Sequence, residues 1–274
     1  MEKEPLTNKN EPVDTASSPG RPEKLYFFRI FLRSFLLQTI LNYPRMQGLG
    51  FGLALAPLGK KIKLRGRELS DYLRRHLKFF NAHPYMAPYA MGAVMRLEWD
   101  RQPETKVESL KRTLVGPLGL FGDQVFWTRF RPLAGLTTVL AILIFLDFKW
   151  KTGGIPLGIG AILAAFLIGY NYWHLRVRWE GLITGFEYGE NILGRITRSL
   201  MVKLRLYLSL AGALIAGLLA AKAYNFSPSK SIFLVSFAVI FIGLKLKTPL
   251  WLLIIIASTA CLGLTFTFGL TFSE

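Results

Sequence analysis

The sequence lacks the residues and motifs on which the common classes of enzyme and metal site depend. Its 274 residues include one cysteine and three histidines. A single cysteine excludes a disulfide within the chain and a paired-cysteine site, and His76, His83 and His174 show no metal-ligand spacing. Phosphate-binding loops, the GxSxG elbow and the zinc motif HExxH are also missing. We therefore expect no catalytic residue, no metal and no cofactor.

Acidic residues are also scarce. The chain has 17 Asp and Glu against 34 Lys and Arg, a formal net charge of +17. On a soluble fold such an excess would indicate a nucleic-acid-binding face. Here much of the basic charge lies in two blocks between apolar runs, at 60–78 and 176–205, which is typical of the cytoplasmic loops of membrane proteins. We therefore expect a membrane protein and no nucleic acid partner.

Hydrophobic residues, in contrast, make up 51% of the chain. Residues 152–173 and 248–273 contain no Asp, Glu, Lys or Arg, and each run exceeds the roughly 20 residues that cross a bilayer. Shorter uncharged runs lie at 132–146, 206–221 and 231–244, and snorkelling basic residues can lengthen them. The sequence therefore predicts about five transmembrane helices. With both basic blocks inside, the N-terminus is cytoplasmic and the C-terminus external.

The patterning divides the chain into three regions. Residues 1–24 are polar and rich in Glu, Lys, Pro and Ser, so we expect a disordered cytoplasmic tail. Residues 25–131 are expected to contain an amphipathic helix and the polar motifs described below. Residues 132–274 are expected to form the transmembrane helical bundle. The predicted fold class is an all-α integral membrane protein.

Region 25–131 begins with an amphipathic pattern over residues 25–41. Arg29 and Arg33 lie opposite an apolar stripe, which suits a helix in the membrane interface, and the alternative is a helix packed on the rest of the domain. The stripe consists of Leu25, Phe28, Phe31, Leu32, Phe35 and Leu36.

The apolar runs 46–59 and 79–95 are short and broken by Gly and Pro, so we expect re-entrant helical hairpins.

Polar residues border or interrupt short apolar segments at three places. We call residues 42–47, 81–84 and 122–124 the first, second and third polar motifs. Polar groups at membrane depth must be paired or face a cavity, so they indicate a functional site. Because Asn and Gln amides donate and accept hydrogen bonds, such groups suit a neutral polyhydroxylated solute. The candidate substrate-binding residues are Asn42, Arg45, Gln47, Asn81, His83 and Asp123.

Two features of these regions have alternative interpretations. Asp123 either binds the solute or caps a helix that begins near Gln124. Gly181, Gly185 and Gly189 are four residues apart and would form a smooth stripe on one helix face. Since each glycine costs a helix about 1 kcal/mol relative to alanine, we expect this stripe to pack closely against another backbone in preference to binding a ligand.

Several longer motifs, in the same order, resemble a known family. They are RS at 33–34, NYPRMQGLGF at 42–51, RRHLKFFNAHPY at 74–85, GPL at 116–118, GDQVFW at 122–127, RP at 131–132 and PLW at 249–251. Together with Asn171, Arg178 and the three glycines, they resemble the IID component of the mannose/fructose/sorbose family of bacterial phosphotransferase systems. The resemblance covers nearly everything after residue 25.

The resemblance implies a multi-pass subunit of the bacterial inner membrane. With a IIC membrane subunit it would form the translocation unit for a hexose or amino sugar, and the candidate substrate-binding residues would be shared with IIC. Phosphoryl groups would be carried on histidines of soluble IIA and IIB proteins, and IIB would phosphorylate the sugar during uptake. The subunit itself would be non-catalytic and would assemble into an oligomer of IIC–IID pairs.

Two positions depart from the family pattern. A glutamate usually occupies the position of Pro44 and a proline that of Gln124, so a strong acceptor for sugar hydroxyls is absent at the first motif. One alternative is therefore a non-transporting membrane module that docks phosphotransfer proteins for regulation. Another is a structural scaffold in which all three polar motifs are satisfied internally.

Overall fold

The computed structural model describes residues 22–149, 155–198 and 201–226, together with residues 234 and 238. Within these ranges nearly all residues are helical and no strand occurs, which confirms the predicted all-α class. The α-helices are α1 Lys24–Arg33, α2 Gly48–Lys61, α3 Gly66–His76, α4 Ala87–Trp99, α5 Glu104–Gly122, α6 Arg131–Lys149, α7 Ile155–Tyr188, α8 Ile192–Arg198 and α9 Met201–Phe226. Two 3₁₀ segments, Ser34–Gln38 and Gly189–Asn191, and a π-helical segment, Asp123–Phe130, connect some of them.

Three helical stretches of the described chain are long and apolar enough to cross a membrane. They are Glu104–Leu146, Gly158–Ile196 and Lys203–Lys222, and they overlap the runs predicted at 132–146, 152–173 and 206–221. The predictions for residues 1–21, 231–244 and 248–273 lie outside the described residues, apart from residues 234 and 238.

The two broken apolar runs form distinct local structures. Residues 46–59 lie mostly in α2, which accommodates Pro57 in its interior. Residues 79–86 form a non-helical entry to α4, where Pro88 occupies the first turn and needs no hydrogen-bond donor. Their expected re-entry into the membrane stays a prediction.

Helix α4 is the centre of the core. All its residues from Ala87 to Glu98 are buried, and its main neighbour is α7. A helix that is apolar around most of its circumference is stable only when other elements surround it. Small residues at Gly92 and Ala93 let the α7 backbone approach closely. The core therefore forms around α4, and the polar motifs lie at its N-terminal end.

The buried face of α1 is not the apolar stripe that the sequence pattern identified. Tyr26, Phe27 and Ile30 are the buried residues of α1. The predicted apolar stripe instead lies largely on the outside, with Leu25 58% and Phe28 47% exposed. The helix therefore packs on the rest of the protein, as the alternative interpretation expected. Its location in the membrane interface, which the exposed apolar stripe would suit, stays a prediction.

Candidate functional site

The first and second polar motifs are joined by backbone hydrogen bonds. The Gln47 N–H donates to the Phe80 carbonyl at 2.8 Å, and the Phe80 N–H donates to the Arg45 carbonyl at 3.3 Å. A tight turn over residues 42–46 makes this approach possible, because Met46 adopts a positive φ of 48°. The Asn42 side-chain oxygen accepts a hydrogen bond from the Arg45 N–H at 2.9 Å and stabilises that turn.

Gln47 fixes the second motif through its side chain. Its Nε2 donates to the Ala82 carbonyl at 2.9 Å, and its Oε1 accepts from the Ala82 N–H at 3.1 Å. The residue is only 4% exposed. Both polar atoms of the amide therefore serve the backbone, so Gln47 positions the site and does not offer these groups to a solute.

The third motif meets the second at His83. A Cβ at position 122 would lie 2.1 Å from the Cβ of His83, so only glycine allows the two segments to approach this closely. The His83 ring also stacks on Phe126, with centroids 5.3 Å apart. Its Nδ1 accepts from the Tyr85 N–H at 3.2 Å, while its buried Nε2 has no hydrogen-bond partner within the described part of the chain.

The alternative in which Asp123 caps a helix beginning near Gln124 is wrong. Gly122 and Asp123 both have helical backbone angles, and the helix runs without a break from α5 through the π-helical segment into α6. Among the described residues, Asp123 accepts a hydrogen bond only through its backbone carbonyl, from the Thr128 hydroxyl, and its side chain caps no helix. Its carboxylate is exposed instead, and it forms no ion pair with the residues that the structure describes.

The six candidate residues thus separate into two groups. Asn42 and Gln47 shape the backbone that joins the motifs, and the His83 ring is buried at the point where all three meet. Arg45, Asn81 and Asp123 are exposed. Among the described residues their side chains have no hydrogen-bond or ion-pair partner, so these groups are available to contact a solute or a partner subunit.

Sequence reasoning missed a second set of polar groups beside His83. We call Tyr85, Tyr170, His174 and Arg178 the Tyr85 cluster. The Tyr85 ring lies 4.7 Å from the His174 ring and 5.3 Å from the Arg178 guanidinium carbon, and its hydroxyl lies 3.1 Å from that of Tyr170. The signal was the spacing on α7: residues 170, 174 and 178 are four apart and share a helix face.

Several nitrogens of this cluster are buried without using their hydrogen-bonding capacity. Arg178 is 5% exposed, and its Nη1 donates to the Ser34 carbonyl at 3.2 Å. Its Nε and the Nδ1 of His174 find no hydrogen-bond partner within the described ranges. Unsatisfied buried polar groups are costly and call for an explanation such as water or a ligand. These nitrogens and His83 Nε2 therefore extend the candidate site from the motifs toward α7.

Comparison with known proteins places the chain in a family. A family model described as the PTS system mannose/fructose/sorbose family IID component matches residues 23–239. The chain belongs to this IID family. The match extends from α1 past the end of α9, so it includes all three polar motifs, the Tyr85 cluster and the three membrane-capable helical stretches.

Individual relatives carry related names. The IID chain is 30% identical over 201 residues to the mannose-specific EIID component of Escherichia coli K12, a match that covers 70% of this chain and 66% of that protein. It is 29% identical over 208 residues to the fructose permease IID component of Bacillus subtilis, covering 74% and 70% of the two chains. The chain thus spans about two thirds of the length of these relatives.

A solved structure shares the fold. The IID chain aligns with a chain of the mannose transporter ManYZ in complex with microcin E492, with a TM-score of 0.51 and 23% identity, covering 93% of this chain and 100% of the other. At this identity the likeness concerns the fold alone. It agrees with the helical membrane architecture described above.

The glycine stripe of this IID chain lies against α4. A Cβ at Gly181 would come 2.6 Å from the Tyr89 ring, and one at Gly185 would come 2.2 Å from the Tyr89 carbonyl oxygen. Gly189 has a different structural role, because it adopts a positive φ of 49° directly after the last residue of α7. The stripe therefore brings α7, with its Tyr85-cluster residues, close to the helix that follows the second motif.

A buried ion cluster holds the segment that leads into the second motif. Arg75 donates two hydrogen bonds to the Glu98 carboxylate, at 2.7 and 2.6 Å, and His76 Nε2 lies 3.0 Å from the same group. Burial alone would raise the pKa of Glu98, but the hydrogen bonds from His76 and Arg75 lower it below its ordinary value of 4.5. Burial lowers the pKa of His76, which keeps the imidazole neutral at pH 7.

The two positions that depart from the family pattern have different surroundings. Pro44 lies exposed in the turn of the first motif. The side-chain oxygen of Gln124 accepts a hydrogen bond from Arg205, and its carbonyl accepts one from Arg129 at 2.6 Å. Gln124 therefore connects the third motif to α9, a contact that a proline side chain could not make.

Proposed function

We propose that this chain is the IID subunit of a sugar-translocating permease of the mannose-family phosphotransferase type. It would pair with a IIC membrane subunit and carry a hexose or amino sugar, which IIB phosphorylates during uptake with phosphoryl groups relayed from IIA. The subunit would be non-catalytic, and its complex an oligomer of IIC–IID pairs in the bacterial inner membrane, with the N-terminus cytoplasmic and the C-terminus external. The relatives named as mannose-specific, sorbose-specific and fructose components support this proposal.

The observation that carries the proposal is the meeting of three polar motifs at His83. Segments distant in sequence are held together by Gln47, by the Met46 turn and by Gly122. Beside them, the exposed side chains of Arg45, Asn81 and Asp123 have no partner among the residues that the structure describes. Amide, carboxylate and guanidinium groups together offer the donors and acceptors that sugar hydroxyls need. Rings of Tyr85 and Trp127 lie within 6.4 Å of each other beside His83, and aromatic faces suit the apolar side of a sugar.

Transport is tested by reconstituting the complete system. The chain is co-expressed with a IIC subunit and soluble IIA and IIB proteins in cells that lack their own mannose-family permease. We expect uptake of a hexose or amino sugar that depends on phosphoenolpyruvate and disappears when any one component is omitted. An assembled complex that binds IIB yet accumulates no mannose, fructose, sorbose or glucosamine would instead support the regulatory docking module.

A further inference from the structure

We propose that a cleft between α1 and the end of α2 binds the phosphate of an anionic phospholipid. The inference is independent of sugar transport and concerns a surface that contains none of the polar-motif residues. The cleft has a volume of about 390 Å³, and the residues that matter for its chemistry are Glu23, Leu25, Tyr26, Arg29, Lys60 and Lys61.

The charge of this cleft favours an anion. Arg29 and Lys60 are exposed, and neither has an acidic partner among the described residues. Lys61 Nζ lies 3.4 Å from Glu23 Oε1, but both side chains are well exposed, so the pair is weak and a stronger anion can compete for Lys61. Three cations against one carboxylate leave the cleft with two uncompensated positive charges.

A buried hydroxyl adds an independent observation. Tyr26 lines the same cleft and is only 7% exposed. Its hydroxyl is buried and makes no hydrogen bond within the part of the chain that the structure describes. A buried donor without a partner calls for an explanation such as water or a ligand atom. A phosphate oxygen that entered the cleft at Tyr26 would be an acceptor for this hydroxyl.

The surroundings of the cleft favour a lipid over a free phosphate ion. Leu25 belongs to the cleft and also to the exposed apolar stripe of α1, which continues through Phe28 and Leu32, 47% and 50% exposed. A phospholipid places its phosphate at the polar edge of the interface and its acyl chains beside such a stripe. The basic block that begins at Lys60 is expected on the cytoplasmic side, where the membrane surface is negative. Inorganic phosphate would contact the basic side chains of the cleft but not the apolar stripe.

Binding of a fluorescent phosphatidylglycerol to the full-length protein in neutral detergent tests the proposal. The double variant Arg29→Gln/Lys60→Gln is compared with Arg67→Gln/Arg74→Gln, which removes the same charge from exposed positions on α3. Because a juxtamembrane basic residue strengthens binding to anionic lipid about fivefold, we expect the first variant to bind roughly 25-fold more weakly. We expect the α3 variant to change binding less than about threefold, because neither arginine lines the cleft and solvent screens its attraction to the bound phosphate.

Two further arms identify the source of the phosphate. We expect Leu25→Ser/Phe28→Ser to weaken phosphatidylglycerol binding, and inorganic phosphate to displace the lipid only at much higher concentration. Equal weakening by the two charge variants would overturn the proposal, because it would indicate general attraction to a basic surface. Displacement by low inorganic phosphate, with no effect of the serine variant, would also overturn it and indicate a soluble phosphate or phosphoprotein ligand.

Discussion

Substitution of Gly185 by alanine tests the contact that places α7 beside the candidate site. The added Cβ would lie 2.2 Å from the Tyr89 carbonyl oxygen and 2.9 Å from the Ala93 nitrogen. Both atoms belong to the α4 backbone and cannot rotate aside. Since non-bonded heavy atoms normally sit about 3.5 Å apart, α4 and α7 would have to separate by roughly 1 Å.

The expected cost follows from overpacking. Extra carbon in a packed interior typically costs about 1–3 kcal/mol, and backbone contact on both sides favours the upper end of that range. Alanine returns about 1 kcal/mol through its higher helix propensity, so we expect a net destabilisation of about 2 kcal/mol. Gly169→Ala is the matched control, because Gly169 lies on the same helix and a Cβ there would meet nothing within 4 Å.

Thermal unfolding of the purified protein in one detergent measures both variants. A loss of about 2 kcal/mol should lower Tm by roughly 4–8 °C, while Gly169→Ala should leave Tm unchanged or raise it slightly. If Gly185→Ala unfolds at the same temperature as Gly169→Ala, the close contact between α4 and α7 does not exist in the folded protein, and the arrangement of the Tyr85 cluster fails with it.

Two further predictions concern the supports of the motifs. Gln47→Met removes both partners of the buried Ala82 backbone groups, so thermal unfolding should show a loss of about 2–4 kcal/mol, whereas Asn81→Ala at an exposed neighbouring position should cost less than about 0.5 kcal/mol. The pKa values of Glu98 and His76 are both lowered by folding, so the unfolded chain binds more protons and stability should decrease as pH falls below about 6.5 and again below 4.5. Glu98→Gln should destabilise the protein at pH 7. It should also flatten the dependence of stability on pH below about 4.5, which a series of unfolding curves at different pH values measures. An unchanged dependence would contradict the role given to Glu98.

The sequence predicted those features that depend on local pattern. The four-residue spacing of Gly181 and Gly185 predicted a smooth helix face, and the charge-free runs predicted membrane-capable helices where the described chain has them. The partner of the glycine stripe is α4, about 90 residues earlier in the chain. Nothing in the local spacing could name that partner.

Contacts between distant segments also explain what the sequence left undecided. The sequence predicts that the Gln47 amide binds the solute. In the structure, both polar atoms of that amide instead form hydrogen bonds with the backbone of Ala82. Gly122 and Asp123 carry the composition of a turn, yet the helix continues through them and places Gly122 against the His83 side chain, a contact that local sequence does not reveal. On α1, both faces carry large apolar residues, so periodicity alone could not decide which face the core would cover.

Sugar uptake by three exposed-residue variants tests the central claim most directly. Arg45→Ala, Asn81→Ala and Asp123→Ala are each expressed with the same IIC, IIA and IIB partners, with Arg67→Ala as an exposed control. We predict that Asp123→Ala and at least one of the other two reduce phosphoenolpyruvate-dependent uptake at least tenfold, while all four variants assemble with IIC and the control transports normally. Normal uptake by all three motif variants would contradict the account, because the polar motifs would then have no part in moving the sugar.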